Sequence, residues 1–390
     1  MKGPYDGAGD NDMSEGTKPL PRWIDIGLIP VINVSIALLV SGLVIMIIGE
    51  DPWAAVKIMI YGALGYEEGI GYTLYYATNF IFTGLAVAVA FHAGLFNIGG
   101  EGQAYIGGLG VGLAILLFDS SLPAFLLVPV AILAASLFGG IYAAVPAYLQ
   151  AYRGSHIVIT TIMFNFIASA IMVYLMVNVL IKPGQQSPES REFSEAGQIP
   201  FVHEVFDWFG IAITHSPLNL SIVWAMICCV GLWLFIWRSK WGYEIRAVGF
   251  NESAATYAGI KPARVIMLSM IISGALAGMV GLNEIMGVQH RLLLNFTAGY
   301  GFTGIAVSLM GRNHPFGIVL ASLLFGILYQ GGGELAFEMP TITREMVVAI
   351  QGFVILFSGA LAYMITPAMT RLYNRMQGPG LAPAAAEAES

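Results

Sequence analysis

Residues 72–118 read YTLYYATNFIFTGLAVAVAFHAGLFNIGGEGQAYIGGLGVGLAILLF. Two apolar runs, each near the about 20 residues that cross a bilayer, enclose one polar break, Gly94-Leu95-Phe96-Asn97-Ile98-Gly99-Gly100-Glu101-Gly102-Gln103. Non-helical backbone at membrane depth survives only where protein buries it or where it lines a watery cavity. Four glycines allow positive φ and close approach, so the break predicts a discontinuous membrane helix. Asn97, Glu101 and Gln103 then stand at the start of the second helix, with Glu101 at the positive end of its dipole. Intramembrane ionisable groups are functional by default, which makes Phe96, Asn97, Glu101 and Gln103 candidates for the lining of a solute path. The competing reading is close helix packing by the glycines and a plain helix-start carboxylate.

Outward from this window the same pattern fills the chain. Of 390 residues, 57% are hydrophobic and 11% charged, against about 25% charged in ordinary soluble domains. The spans expected are Leu28–Ile48, Tyr72–Ala93, Gln103–Phe118, Pro123–Leu149, Ile157–Ile181, Asn219–Trp237, Arg264–Asn283, Gly299–Gly311, Pro315–Tyr329 and Arg344–Ile365. The fold class is therefore all-α integral membrane, with about ten transmembrane helices. Residues 1–27 form a polar tail, 28–365 the membrane domain and 366–390 a Pro/Ala/Gly-rich disordered tail. A second glycine-bearing stretch, 287–301 (GVQHRLLLNFTAGYG), precedes the short span after it. In a ten-span topology the two breaks fall on opposite membrane faces, as an inverted repeat of two halves produces.

Lys and Arg gather in cytoplasmic loops. With both termini cytoplasmic, Lys2, Lys18, Arg22, Arg153, Arg238, Lys240, Arg246, Lys261, Arg264, Arg312, Arg371 and Arg375, 12 of the 17 basic residues, lie inside. The acidic loop 182–216 then lies outside. A net charge of −7 offers no broad basic surface for nucleic acid. The dipeptide Gly-Lys of a phosphate-binding loop occurs nowhere, so any ATP chemistry belongs to another chain. The adjacent Cys228 and Cys229 cannot staple distant segments. Histidine spacing assigns no metal, no cofactor is implied, and no nucleophile–base constellation points to an enzyme.

Two further features carry expectations. Asn79 and Asn165 lie mid-span, and Asn283 with Glu284 closes another, either lining the path or joining helices. Loop 238–264 (RSKWGYEIRAVGFNESAATYAGIKPAR) is basic and contains a helix-capable run from Glu252 to Ala258, ended by Gly259. Held between two spans, that helix is placed to receive force from a soluble partner. Phe91, Phe96, Tyr105, Phe164 and Phe166 lie near the candidate path and offer stacking faces; the alternative is that they merely pack.

Four windows in order, Gly94–Gln103, Ile159-Thr160-Thr161-Ile162-Met163-Phe164-Asn165, Arg246-Ala247-Val248-Gly249-x-Asn251-x-x-Ala254-Ala255-x-Tyr257-Ala258-Gly259-Ile260 and Gly299-Tyr300-Gly301-Phe302-Thr303-Gly304-Ile305-Ala306-Val307, resemble permease subunits of bacterial ABC importers. The closest look is the nucleoside and simple-sugar branch, related to ribose and branched-chain amino-acid permeases. The resemblance spans roughly residues 28–365. It implies a multi-pass protein of the bacterial inner membrane, in a homo- or heterodimer with a second permease subunit. It also implies cytoplasmic ABC ATPase subunits and an extracytoplasmic substrate-binding protein or lipoprotein. By that similarity Arg246, Gly249, Asn251, Ala254, Ala255 and Gly259 belong to the ATPase-coupling surface. One departure stands out: before Ile159, where the family pattern G-x-x-E-V-I-T-T-I-M has Glu, this chain has Gly154-Ser155-His156-Ile157-Val158, so a Glu-dependent contact does not carry over. The expected solute is a nucleoside. A simple sugar such as ribose or a branched-chain amino acid is the alternative within this importer type. A secondary transporter using Glu101 or Glu284 as ion carrier is the alternative outside it.

Overall fold

The computed structural model describes residues 28–343 and 345–353, with Pro21, Ile24 and single positions at 356, 367, 369, 370 and 373. The two tails read from sequence, and most of the expected span Arg344–Ile365, lie outside the described residues. Two compact units are present: residues 57–338, which hold the side-chain clusters described below, and residues 1–56 with 339–390.

Thirteen helices are named among the described residues: α1 Ile29–Ile48, α2 Pro52–Leu64, α3 Glu67–His92, α4 Gly100–Phe118, α5 Ala124–Arg153, α6 Ile157–Asn178, α7 Val202–Trp208, α8 Ser221–Arg238, α9 Lys240–Phe250, α10 Glu252–Tyr257, α11 Pro262–Gly278, α12 Tyr300–Met310 and α13 Pro315–Glu338. Beyond α11 the chain continues as a π-wound segment, Leu282–Gln289, so that Pro262–Gln289 serves as one span.

The expectation of about ten spans is met in part. Among the described residues seven helices are long and apolar enough to cross a bilayer, α3, α4, α5, α6, α8, α11 with its π segment, and α13; the bent pair Ser35–Ile48 and Pro52–Leu64 raises the number to eight if taken as one span. The expected span Gly299–Gly311 is an 11-residue helix, about 16 Å long, and the hydrocarbon core is about 30 Å thick. It is a half-helix entered from a broken stretch. Conversely α4 begins three residues before its expected start and reaches 19 residues, enough to cross.

Helix α3 is the centre of the larger unit: 83% of its apolar window is buried, and α11, α12 and α13 flank it. Lipid tails supply no hydrophobic drive between helices, so close backbone approach must hold them. A Cβ on Gly107 of α4 would lie 2.2 Å from the Cα of Gly278 on α11, and one on Gly139 of α5 would lie 2.2 Å from the Gly274 carbonyl. Only glycine permits these crossings. At the α4–α5 end, the Arg191 guanidinium grips both carboxylate oxygens of Asp119 at 2.8 Å, and Asp119 also accepts from the Ser194 N–H at 3.1 Å. The Arg191 hydrogen bonds hold the Asp119 carboxyl below the ordinary carboxylate range. This pair ties the loop after α6 to the end of α4.

Candidate functional site

The first broken stretch joins α3 to α4 and is fastened at each polar position. The Asn97 amide is 1% exposed; its Nδ2 donates to Gln103 Oε1 and to Ser273 Oγ, both at 2.9 Å, and its Oδ1 accepts the Gly99 N–H at 2.9 Å. Gln103 Nε2 returns a bond to Asn97 Oδ1 at 3.2 Å. From α6, Asn165 Oδ1 accepts the Gly102 N–H at 2.9 Å while its Nδ2 donates to the Ile98 carbonyl at 3.0 Å. The Thr161 hydroxyl takes the Ile98 N–H at 3.3 Å. The start of a helix leaves four N–H groups without intrahelical partners, and an unsatisfied polar group in hydrocarbon costs several kcal/mol. Asn97 and Asn165 take two of these N–H groups, those of Gly99 and Gly102, and Gln103 braces Asn97.

Glu101 faces the other way. Its Oε1 accepts from the Thr297 hydroxyl at 2.6 Å and the Gly299 N–H at 3.0 Å, and its Oε2 accepts the Gly301 N–H at 2.8 Å. All three donors lie in or just beyond the second broken stretch, before or at the first turn of α12. One carboxylate therefore bridges the positive ends of the full span α4 and the half-helix α12. The approach is close: a Cβ on Gly301 would stand 2.2 Å from the Glu101 nitrogen, and Gly299 turns at φ +83°. Farther along the seam, Tyr105 Oη accepts the Asn295 N–H at 2.8 Å.

Asn79 belongs to a separate cluster. Its Nδ2 and the Tyr75 hydroxyl both donate to Glu284 Oε1 at 2.6 Å. Asn283 Nδ2 donates to Asn79 Oδ1 at 2.9 Å, while Asn219 Nδ2 and Ser221 Oγ donate to Asn283 Oδ1 at 2.9 and 2.8 Å. The π-wound backbone carries Asn283 and Glu284 on successive residues into α3 and the start of α8. Sequence reading singled out Asn79, Asn283 and Glu284 but not Tyr75, Asn219 or Ser221. The signal available was a run of polar residues at the mouth of α8.

The aromatic residues named from sequence are dispersed. Phe91 pairs with Phe96, which is 36% exposed; Phe164 lies against Tyr142, Tyr105 against Phe296, and Phe166 points outward at 68% exposure. A cluster that sequence reading missed sits instead on α3, α12 and α13: Tyr76, Phe80, Tyr300 and Tyr329, with ring centroids 4.8–6.5 Å apart. The spacing of Tyr72, Tyr76 and Phe80, one helical turn apart each, was the available signal.

At the far end of α3 the loop 238–264 folds as two short helices. Ser239 caps α9 by accepting the Gly242 N–H at 3.0 Å, Asn251 caps α10 by accepting the Ala254 N–H at 2.9 Å, and Gly259 leaves α10 at φ +82°. The helical run expected from Glu252 is present as α10. Ala255 is buried, Arg246 is half-buried and Ala254 is exposed, while Phe250 and Tyr257 stand out at 91% and 95% exposure. A Cβ on Gly249 would lie 2.1 Å from the His92 carbonyl and 2.9 Å from the Gly94 nitrogen. The loop thus presses backbone to backbone on the residue where the first broken stretch begins. At the departure before α6, His156 occupies the N-cap position and Gln150 Oε1 accepts the Ile157 N–H at 2.8 Å.

Comparison with known proteins agrees with this architecture. The guanosine ABC transporter permease protein NupP of Bacillus subtilis is 36% identical over 89% of this chain and 97% of its own length. The glucose ABC transporter permease protein TsgB13 of Haloferax volcanii is 33% identical over 87% of this chain and 88% of its own. The nucleoside ABC transporter permease protein NupB of Lactococcus lactis is 32% identical over 84% and 90% respectively. Residues 69–359, from the first turns of α3 onward, match the family described as branched-chain amino acid transport system / permease component. The chain is a multi-pass transport subunit, not a catalytic enzyme, and it belongs to that family of ABC-importer permeases.

Proposed function

We propose that this chain is the membrane subunit of a nucleoside importer working by alternating access, driven by separate ABC ATPase subunits and supplied by an extracytoplasmic binding protein or lipoprotein. The observation that carries the reading is the Glu101 bridge, by which two broken stretches meet at the starts of α4 and the half-helix α12. Discontinuous helices meeting at a repeat interface are where transporters place their solute sites. In this reading the two halves are an inverted repeat. Asn97, Gln103 and Asn165 stiffen one wall of the path, Asn79 holds the polar cluster beside it, and Phe96 lies at its edge. The sequence resemblance and the guanosine and nucleoside permeases among the relatives favour a nucleoside. The glucose relative supports a second reading, a sugar importer of the same build.

Loop 238–264 is the ATPase-coupling surface. Phe250 and Tyr257 offer apolar anchors to a cytoplasmic partner, and Gly249 passes its displacement to Gly94 and so to the broken stretch. In this reading the loop and both termini are cytoplasmic. Uptake of labelled guanosine, adenosine, ribose, glucose and leucine, in cells with the whole transporter and with or without this subunit, tests the assignment. Nucleoside uptake that depends on this chain is expected. Uptake of a sugar or leucine with no nucleoside would overturn the substrate and leave the importer.

A further inference from the structure

We propose that residues 189–199, which follow α6, form a strap that closes the outer end of the seam between α4 and the second broken stretch, and that it lets go of α4 when the seam opens outward. This rests on the reading above that puts loop 238–264 in the cytoplasm and loop 182–216 outside. The seam is built on one face of α4, Glu101, Tyr105, Gly108 and Gly112, three or four residues apart. The second broken stretch runs inward along that face. Leu292 and Phe296 fill the space where Gly112 and Gly108 carry no side chain, Asn295 donates to Tyr105 Oη, and Thr297 donates to Glu101. Contact is thus continuous from the outer part of α4 to the Glu101 bridge.

The strap lies across the outer end of this seam and holds its two rims differently. On the rim formed by the π-wound segment and the second stretch the bonds are mainly backbone pairs. The N–H groups of Ser190, Phe193 and Ile199 donate to the carbonyls of Leu292, His290 and Met286 at 3.1, 2.8 and 3.0 Å, and the Leu292 N–H returns one bond to Ser190 Oγ at 2.9 Å. Phe193 and Ile199 are buried beside them. On the other rim, the end of α4 with α5 beside it, the bonds run through the side chains of Arg191, Ser194 and Asp119, of which the first two are exposed. Arg191 reaches Asp119 and, at 3.0 Å, the Leu116 carbonyl, and the Ser194 hydroxyl donates to the Asp119 carbonyl at 3.0 Å. Water competes for exposed side-chain bonds far better than for buried backbone pairs. The strap therefore stays with the second stretch, and the α4 rim is the one that yields. Loosening this latch leaves the strap free to lift; a covalent tie does not.

Crosslinking tests the strap in the complete transporter in proteoliposomes, on a background of Cys228→Ala and Cys229→Ala. Ser120→Cys and Ser194→Cys place exposed thiols on the two sides of the α4 rim, since Ser194 bonds the carbonyl of the residue before Ser120. Joined by a short bis-methanethiosulfonate, this pair is expected to lose guanosine uptake and to regain it when a reductant cleaves the tie. Each single cysteine treated with the same reagent should keep uptake. Glu189→Cys with Arg291→Cys, whose native side chains pair at 3.3 Å across the other rim, is expected to transport while crosslinked. Uptake that survives the tie between positions 120 and 194, or that both ties block alike, would overturn the strap alone. Where the wild type carries glucose and no guanosine, glucose uptake is the readout, and the same outcomes decide. A membrane-impermeant thiol reagent that labels Ser194→Cys only from the cytoplasmic side would overturn the topology and the strap with it.

Discussion

The two broken stretches solve one problem by different means. The first, 93–99, is short and is fastened from three sides by Asn97, Ser273, Thr161 and Asn165, with its amides satisfied by one another. The second, 290–299, is longer and includes His290, Asn295 and Ala298 at φ 52°, 59° and 45°, a left-handed backbone that costs about 1–2 kcal/mol per non-glycine residue. Three of the bonds that hold its end are donated to a single side chain, Glu101. In the proposed path a first stretch pinned by surrounding amides, the fixed wall, thus faces a second whose end converges on one carboxylate and whose beginning is tied to Tyr105, Ser190 and Phe193.

Input to the fixed wall gives the largest expected effect. Gly249→Val drives a side chain into the His92 carbonyl and the Gly94 nitrogen. Transport should vanish while the ATPase subunits continue to hydrolyse ATP, measured together in proteoliposomes. Normal coupled transport in that variant would sink the proposed route from loop to wall. The contrasting change, Tyr257→Ser at the 95% exposed tip of α10, should weaken co-purification with the ATPase and leave the fold intact.

Glu101→Ala comes next, because it strands three donors at once. At about 1–3 kcal/mol for each unsatisfied buried group, the purified permease should lose several kcal/mol of stability, read as a fall in melting temperature. Asn165→Ala removes one acceptor and one donor from the other wall and should cost about 2 kcal/mol. If the two variants melt alike, Glu101 does not carry the end of the second stretch and the contrast between the walls fails.

How much of this was legible beforehand follows from range. The break at Gly94–Gln103 was readable because its glycines and amides lie within ten residues, and α10 because Asn251 and Gly259 punctuate it. Glu101 could be placed at a helix start, yet its partners Thr297, Gly299 and Gly301 are about 200 residues away. Nothing local encodes that pairing. Asn79 read as a lone amide for the same reason: Glu284 meets it only through the π-wound turn of 282–289. The expected span 299–311 arose because hydropathy alone cannot separate a half-helix such as α12 from a full crossing.

The smallest effect should come from outside both walls, at Asp119 and Arg191. The pair is bidentate, but Arg191 is 45% exposed while Asp119 is 2% exposed, so solvent screening limits its worth to about 1 kcal/mol. Arg191→Met should therefore lower stability slightly at pH 7 and leave uptake unchanged. Its pH dependence identifies the cause. The folded carboxyl titrates below its ordinary value because Arg191 bonds to the charged form, so the pair contributes fully above the unfolded pKa of about 4 and is lost as pH falls through the folded value. The gap between wild type and Arg191→Met should stay constant from pH 7 to about 5 and close below about 4. A gap that persists under acid would mean that Arg191 acts through packing of its stem on the α4 end, and that the tie between α4 and the loop after α6 is not ionic.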